Sequence, residues 1–193
     1  MNAIIVFLKN FFLTDVKTRL AETTSQEFAL NFYKDCIKNT ITEVKKTSIP
    51  YFLFWYPEPI EKYKNSFSQK GKNLGERMYN ALNEVFANKI ENAIIIGTDI
   101  PDLNSNIMRK AFIFLKDYDY VIGPCFDGGY YLIGCKKDKL KKEIFSNIPW
   151  STDKVFTLTI EKLKKHKLKF YILEKLRDID EKEDLFNYYS SKR

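Results

Sequence analysis

One stretch limits the fold of this chain more than any other. Residues 93–103, AIIIGTDIPDL, begin with four apolar residues, three of them isoleucine, and break at Gly97. Asp99, Pro101 and Asp102 follow at once. A short β-branched run bounded by Gly and Pro reads as a strand buried on both faces. Such strands belong to largely parallel sheets, whose ligands bind beyond the carboxyl ends of the strands. Asp99 would stand at that edge. Residues 123–134, GPCFDGGYYLIG, repeat the theme with Asp127 and paired glycines. All seven glycines fall between Gly71 and Gly134, so specialised backbone geometry is concentrated mid-chain.

The remaining segments alternate around this strand. Residues 3–8 (AIIVFL) predict a first buried strand, and a loop over 9–18 brings Lys17, Thr18 and Arg19 to its far end. Thr24 and Glu27 have the T-x-x-E spacing of a capping box. Phe28, Phe32, Cys36, Ile37, Ile41 and Val44 then form the apolar stripe of a long helix ending near Lys46. Residues 49–56 (IPYFLFWY) predict the second strand, ended by Pro57 and Pro59. A short helix over 60–63 and an extended piece before Gln69 fit the polar residues that follow. Asn73 and Glu76 mark a helix start, with Leu74, Met78, Leu82, Val85, Phe86 and Ile90 as its stripe, and Asn104 caps another. Residues 118–122 and 130–135 read as strands turned at Gly123-Pro124, too close for a helical crossover and therefore antiparallel or offset. Short helices over 139–145 and 152–166, a strand over 168–173 and a last helix opened by Asp180 with Glu183 complete the chain. This βαβαβαβ alternation, interrupted once, predicts one three-layer α/β domain over residues 1–193.

Several function classes fall away. The formal charge is +7, and residues 136–193 hold 16 Lys and Arg against 10 Asp and Glu. That excess is lysine-rich and lacks the aromatic interleaving of a single-strand binder, so it reads as solvated surface and not as a nucleic-acid site. Three cysteines without C-x-x-C spacing indicate neither a disulfide framework nor a zinc site, and a reducing cytoplasm is their simplest home. The apolar run at 3–8 is far too short to span a bilayer. Neither a G-x-G-x-x-G fingerprint nor a Walker A loop is present. His166, the one histidine, lies among lysines, so no histidine-based triad is available.

The polar residues at the expected sheet edge carry the candidate chemistry. Asp99 is either an oxygen ligand for a divalent cation or the cap of its own turn. Asp180, in RDIDEKEDL, is placed to cap the last helix; alternatively it or Asp178 is a second carboxylate facing Asp99. Two carboxylates about 4 Å apart repel by about 4 kcal/mol at an effective dielectric near 20, which a shared cation would relieve. Lys17 and Arg19 are either a solvated pair or phosphate-neutralising cations. Gln69 has an amide that would read the edge of a planar base. Gly75 allows close approach of either a base or a packed helix. Asp127, Gly128 and Gly129 are either a turn or a carboxylate at the cleft mouth. Trp150 is either core or a platform for a sugar ring.

Taken in order, six segments resemble one family. They are Lys17-Thr18-Arg19-Leu20, Asn73 to Met78 (NLGERM), Gly97 to Leu103 (GTDIPDL), Asp127 to Gly134 (DGGYYLIG), Ile148 to Thr152 (IPWST) and Arg177 to Asp180 (RDID). The series resembles an uncharacterised bacterial family of glycosyltransferase-A type proteins, one branch of which is labelled arsenosugar biosynthesis glycosyltransferase. It is also distantly similar to phospholactate guanylyltransferase and the molybdenum-cofactor nucleotidyltransferases. The resemblance covers about residues 4–185. It implies a three-layer α/β/α fold with a mixed, mainly parallel sheet of the nucleotide-diphospho-sugar transferase type. It further implies a cytoplasmic, metal-dependent glycosyltransferase that takes a nucleotide sugar and a small-molecule acceptor. Asp99 and Asp180 would hold Mg²⁺ or Mn²⁺. Lys17 and Arg19 would meet the phosphates, and Gln69 and Gly75 would lie by the base. Asp127 would act as general base, with Gly128, Gly129 and Trp150 beside the substrate. Two alternatives are a nucleotidyltransferase that releases pyrophosphate and a non-catalytic nucleotide-binding module. The sugar, base, acceptor and oligomeric state are left open. The chain departs from the family in three places. Residues 10–15 (NFFLTD) replace a Pro-x-Pro-Gly loop, Phe126 stands where Glu is usual, and Glu181-Lys182 replace Thr-Pro.

Overall fold

The two halves of each central strand's side chains go to different cores, and this is what makes the molecule three-layered. In β1 (Asn2–Lys9), Ala3 and Ile5 join one buried cluster while Ile4, Val6 and Leu8 join another. In β4 (Asn92–Ile96), Ala93 and Ile95 split from Ile94 and Ile96 in the same way. Successive residues of a strand point to opposite faces, so an unbroken apolar run needs a cover on each. The computed structural model describes residues 1–60 and 65–190. The short helix expected over 60–63 lies largely outside the described residues.

The remaining strands are β2 (Tyr51–Tyr56), β3 (Ser66–Ser68), β5 (Tyr120–Pro124), β6 (Tyr130–Lys136) and β7 (Phe170–Ile172). They form one seven-stranded sheet in the order β3-β2-β1-β4-β6-β5-β7. Only β6 runs antiparallel to its neighbours, β4 and β5. One face is covered by α3 (Leu74–Phe86), α5 (Lys142–Phe145) and α6 (Val155–Lys165). The other is covered by α2 (Gln26–Lys46) and α4 (Ser105–Phe114). A satellite cluster of Leu20, Ala29, Ile179 and Leu185 ties α1 (Thr18–Thr23) and α7 (Lys182–Ser190) to α2. This is the mixed, mainly parallel α/β/α architecture expected from the sequence.

Local chemistry differs from expectation at several points. The N-cap of α2 is Ser25, whose hydroxyl accepts from Phe28 N, while the Thr24 hydroxyl donates back to Leu20 O. Phe28 is therefore one step off the buried stripe, which runs through Ala29, Tyr33, Cys36, Thr40 and Val44. Gly123 and Pro124 belong to β5, Cys125 continues it through a bridge to Leu176, and the turn falls at 126–129. The loop expected after β1 holds over residues 10–17, and α1, which was not expected, follows it. Asp180 is not a side-chain cap: Asp184 Oδ2 instead accepts from the main-chain N–H groups of Asp180 and Glu181. Asn73 and Asn104 do cap α3 and α4 through their side chains.

Candidate functional site

The carboxyl ends of β1, β4, β5 and β7 open onto a cleft of about 720 Å³. Toward β1 and β2 it adjoins an inner cavity of about 290 Å³. Seven residues line both spaces, among them Lys9, Tyr56, Arg77 and Asp99.

Four aspartates come to this edge from three loops. Asp99 follows β4. Asp127 lies in the β5–β6 hairpin, where its Oδ1 accepts from Gly129 N at 2.8 Å. Gly128 makes that hairpin possible: its φ is +89°, and a Cβ would stand 2.2 Å from Asp153 O. Beyond β7 the chain keeps company with β5, with Leu176 N donating to Pro124 O. Ile179 N then donates to Asp99 O at 3.1 Å, and the Ile179 side chain is fully buried. Asp178 and Asp180 thus flank a residue anchored to the main chain of Asp99.

Lys17 joins two of these carboxylates. Its Nζ donates to Asp180 Oδ1 at 2.6 Å and to Asp99 Oδ2 at 3.1 Å, and its side chain is only 5% exposed. Both oxygens reach one nitrogen, so Asp99 and Asp180 lie on the same side of the molecule and close together. Lys17 also has φ 51° and ψ 43°, a left-handed conformation uncommon outside glycine. The loop before it is held by Asn10. The Asn10 side-chain oxygen accepts from Phe12 N, and its carbonyl accepts from Thr14 N and Oγ1. These bonds organise residues 10–15 without Pro or Gly.

The charges are unevenly compensated. Burial alone would lower the Lys17 pKa, but Asp99 and Asp180 outweigh it and hold the ammonium above its ordinary value. Burial would raise Asp99, yet the Lys17 charge and hydrogen bond leave it below the usual carboxylate range. Asp178 has no such cation: burial first, then Asp127, Asp99 and Asp180, push its carboxyl up to about 7. Ligand atoms of Asp127, Asp178 and Cys125 lie within 4.8 Å of one another. Burial and the surrounding aspartates push the Cys125 thiol well up, so it offers no thiolate. The usable donors of this group are the hard carboxylate oxygens of Asp127 and Asp178, which suit Mg²⁺ or Mn²⁺.

The other expected residues fall into three groups. Gln69 lines the inner cavity, but its Nε2 already donates to Leu8 O at 3.1 Å and Phe54 O at 2.9 Å, leaving Oε1 as its available atom. Arg19, Asp127, Gly129 and Trp150 line the wide cleft, and Arg19 pairs with Glu181 at 3.2 Å. Gly75 and Gly128 serve packing. A Cβ at Gly75 would stand 2.1 Å from Phe145 O and 2.6 Å from the Trp150 indole, so Gly75 is where α3 closes onto Trp150. Reading from sequence weighed Asp178 only as a substitute for Asp180. The available signal was D-I-D itself, since residues i and i+2 of an extended segment share a side while the residue between faces away. Arg77 entered only as part of the NLGERM segment, and neither it nor Lys9 was given a role.

The comparisons agree with this fold. A provisionally assigned nucleotide-diphospho-sugar transferase from Desulfovibrio desulfuricans G20 is 29% identical, with a TM-score of 0.90 over 100% of this chain and 87% of that one. The 2-phospho-L-lactate guanylyltransferase of Methanocaldococcus infernus is 26% identical over 183 residues, 90% of this chain and 78% of the relative. Its counterpart in Methanocaldococcus jannaschii is 28% identical over 184 residues, 90% and 76% respectively. A 4-diphosphocytidyl-2C-methyl-D-erythritol synthase from Anaerococcus prevotii shares the fold alone, with 11% identity and a TM-score of 0.61 over 100% of this chain and 96% of that one. Residues 52–152, which hold β2 through the Trp150 segment, match the family described as "Uncharacterized protein conserved in bacteria (DUF2064)", and the chain belongs to that family.

Proposed function

We propose that this protein is a nucleotidyltransferase: a phosphate oxygen of a small acceptor attacks the α-phosphorus of a nucleoside triphosphate, and pyrophosphate leaves. The observation that carries the reading is the gathering of Asp99, Asp127, Asp178 and Asp180 at one sheet edge, in a chain similar over 90% of its length to guanylyltransferases. Asp127 and Asp178, whose ligand atoms lie within 4.8 Å of each other, would hold a divalent cation, together with the oxygens of Asp99 and Asp180 that Lys17 does not take. The bound cation would supply charge neutralisation at the phosphates. The base would enter the inner cavity near Gln69 Oε1, and the acceptor would occupy the wide cleft by Trp150. Lys17, fixed between Asp99 and Asp180, would position these two carboxylates at the sheet edge. Attack by an ionised phosphate oxygen needs no proton abstraction from an acceptor hydroxyl, so Asp127 is not required as a base in this reading.

A second reading, glycosyl transfer from a nucleotide sugar, is favoured by the similarity to the Desulfovibrio protein. There an acceptor hydroxyl must lose a proton, and Asp127 at the cleft is the candidate base. The products separate the two. The protein is incubated with Mn²⁺, each of the four nucleoside triphosphates and 2-phospho-L-lactate as a trial acceptor, and pyrophosphate is measured. Nucleotide sugars are tested in parallel for release of nucleoside diphosphate. Pyrophosphate release supports the first reading and nucleoside diphosphate the second. If no nucleotide even raises the melting temperature, both readings fail.

A further inference from the structure

Arg77 is a cation without an ion pair among the described residues. Four arginines lie among the described residues, and three are engaged. Arg19 pairs with Glu181, Arg177 lies 3.8 Å from Asp184, and Arg109 donates to Asn106 and to the Lys46 carbonyl. Arg77, in the first turn of α3, has neither an ion pair nor a side-chain hydrogen bond among the described residues. Its Nε is buried and unpartnered. Its guanidinium lies over the ring of Tyr56 at the end of β2, with Cζ 4.0 Å from the centroid. A half-buried guanidinium stacked on one face keeps its N–H edge for a planar or tetrahedral oxyanion. Leaving such donors unmatched is unfavourable, which points to an anion that arrives with a ligand.

The position says which anion. Arg77, Tyr56, Lys9 and Asp99 line both the inner cavity and the wide cleft, so they stand where the two meet. Lys9, at the end of β1, is likewise without an ion pair among the described residues. With a base in the inner cavity and an acceptor in the cleft, the junction is where a phosphate chain must pass. The cations nominated by sequence, Lys17 and Arg19, are already matched to acidic side chains. We propose that Arg77, seated on Tyr56 and assisted by Lys9, binds the phosphate chain of the nucleotide from the β2 side, opposite the aspartates of the β4, β5 and β7 loops. This assignment rests on the nucleotide-binding reading above.

The test is titration of GTP and of inorganic pyrophosphate, each with Mn²⁺, into wild-type protein and into Arg77→Met, Arg77→Gln and Arg77→Lys. One lost charge-assisted contact should weaken both ligands by about tenfold or more in the Met and Gln variants. Arg77→Lys, which keeps the charge but not the fork, should recover part of the loss. The proposal is overturned if the neutral variants bind as wild type does. It is equally overturned if Lys is no better than Met or Gln, because a packing role on Tyr56 would not distinguish them by charge. A melting curve for each variant shows which are folded, and either neutral variant suffices for the comparison with Lys. Failure of the wild type to bind any nucleotide is a different result: it removes the nucleotide reading itself and this assignment with it.

Discussion

Lys17 Nζ and Asp180 Oδ1 meet at 2.6 Å across 163 positions of sequence. The same nitrogen reaches Asp99, so one ammonium ties the loop after the first strand to those after the fourth and the last. Removing one partner of a buried ionic cluster leaves the others uncompensated. Lys17→Met should therefore destabilise the protein by about 2–4 kcal/mol, below the fully buried range because both carboxylates are about one-third exposed. Mn²⁺ should restore part of the lost melting temperature. An unchanged melting curve would contradict the structural role given to the triad.

Asp178 should make stability fall with rising pH. Its folded pKa, about 7, lies above the unfolded value near 4, so the folded state holds the proton more tightly. Its effect is absent below about pH 4, grows between 4 and 7, and is a full penalty above 7. Asp178→Asn should match wild type near pH 4 and gain about 1–2 kcal/mol at pH 8, allowing for solvent screening of a partly exposed group. Divalent cation should shrink that gain by stabilising the wild type alone. Melting temperatures measured across pH 4–8 would check this, and a gain that does not grow with pH would refute it.

Asp99→Asn should keep the fold, since Lys17 still pairs with Asp180. On the proposed reading it should lose metal-dependent nucleotide binding and about two orders of magnitude or more in turnover, the scale of a cation contact worth several kcal/mol. Survival of both would remove Asp99 from the centre of the site.

Gly75→Ala should lower stability by about 1–3 kcal/mol, because a methyl group has no room between the Phe145 carbonyl and the Trp150 indole. The relief available is movement of Trp150 into the cleft, so a change in indole fluorescence should accompany the loss. Urea unfolding that leaves the midpoint unchanged would contradict this packing role.

Ser25→Ala should cost about 1 kcal/mol, the usual loss for an N-cap hydroxyl, while Thr24→Ala should cost less. Equal effects in urea titrations would mean that the helix start is shared between them.

These outcomes also separate what sequence can and cannot convey. Strands β1 and β4 were legible because an apolar run bounded by Gly, Pro or Lys is a local signal. Asn73 and Asn104 were legible because their caps close within three residues. The antiparallel β5–β6 pair followed from a connection too short for any crossover. Lys17 was not legible as an ion-pair centre, because its partners come from residues 99 and 180 and nothing near it in sequence encodes them. Asp180 resembled a cap for the same reason: its local pattern is ideal, but a distant ammonium claims the side chain and Asp184 takes over the main-chain N–H groups. Ser25 displaced Thr24 by one residue, below what spacing alone resolves. Arg77 passed unnoticed because an unpaired charge is defined by what is missing around it in space.

The contact between Lys17 and Asp180 also has a consequence for how the protein is made. The chain emerges from its amino terminus, so Lys17 leaves the ribosome before either of its partners. Its two carboxylate partners arrive much later, one of them after the last strand of the sheet. A nascent chain halted before residue 178 would contain β1, β4 and β5, with Asp99 and Asp127, yet would lack half of the carboxylates and the clasp that sets Lys17. The acidic centre is therefore complete only once residues 178–180 have been made, and a product truncated before them carries half of it.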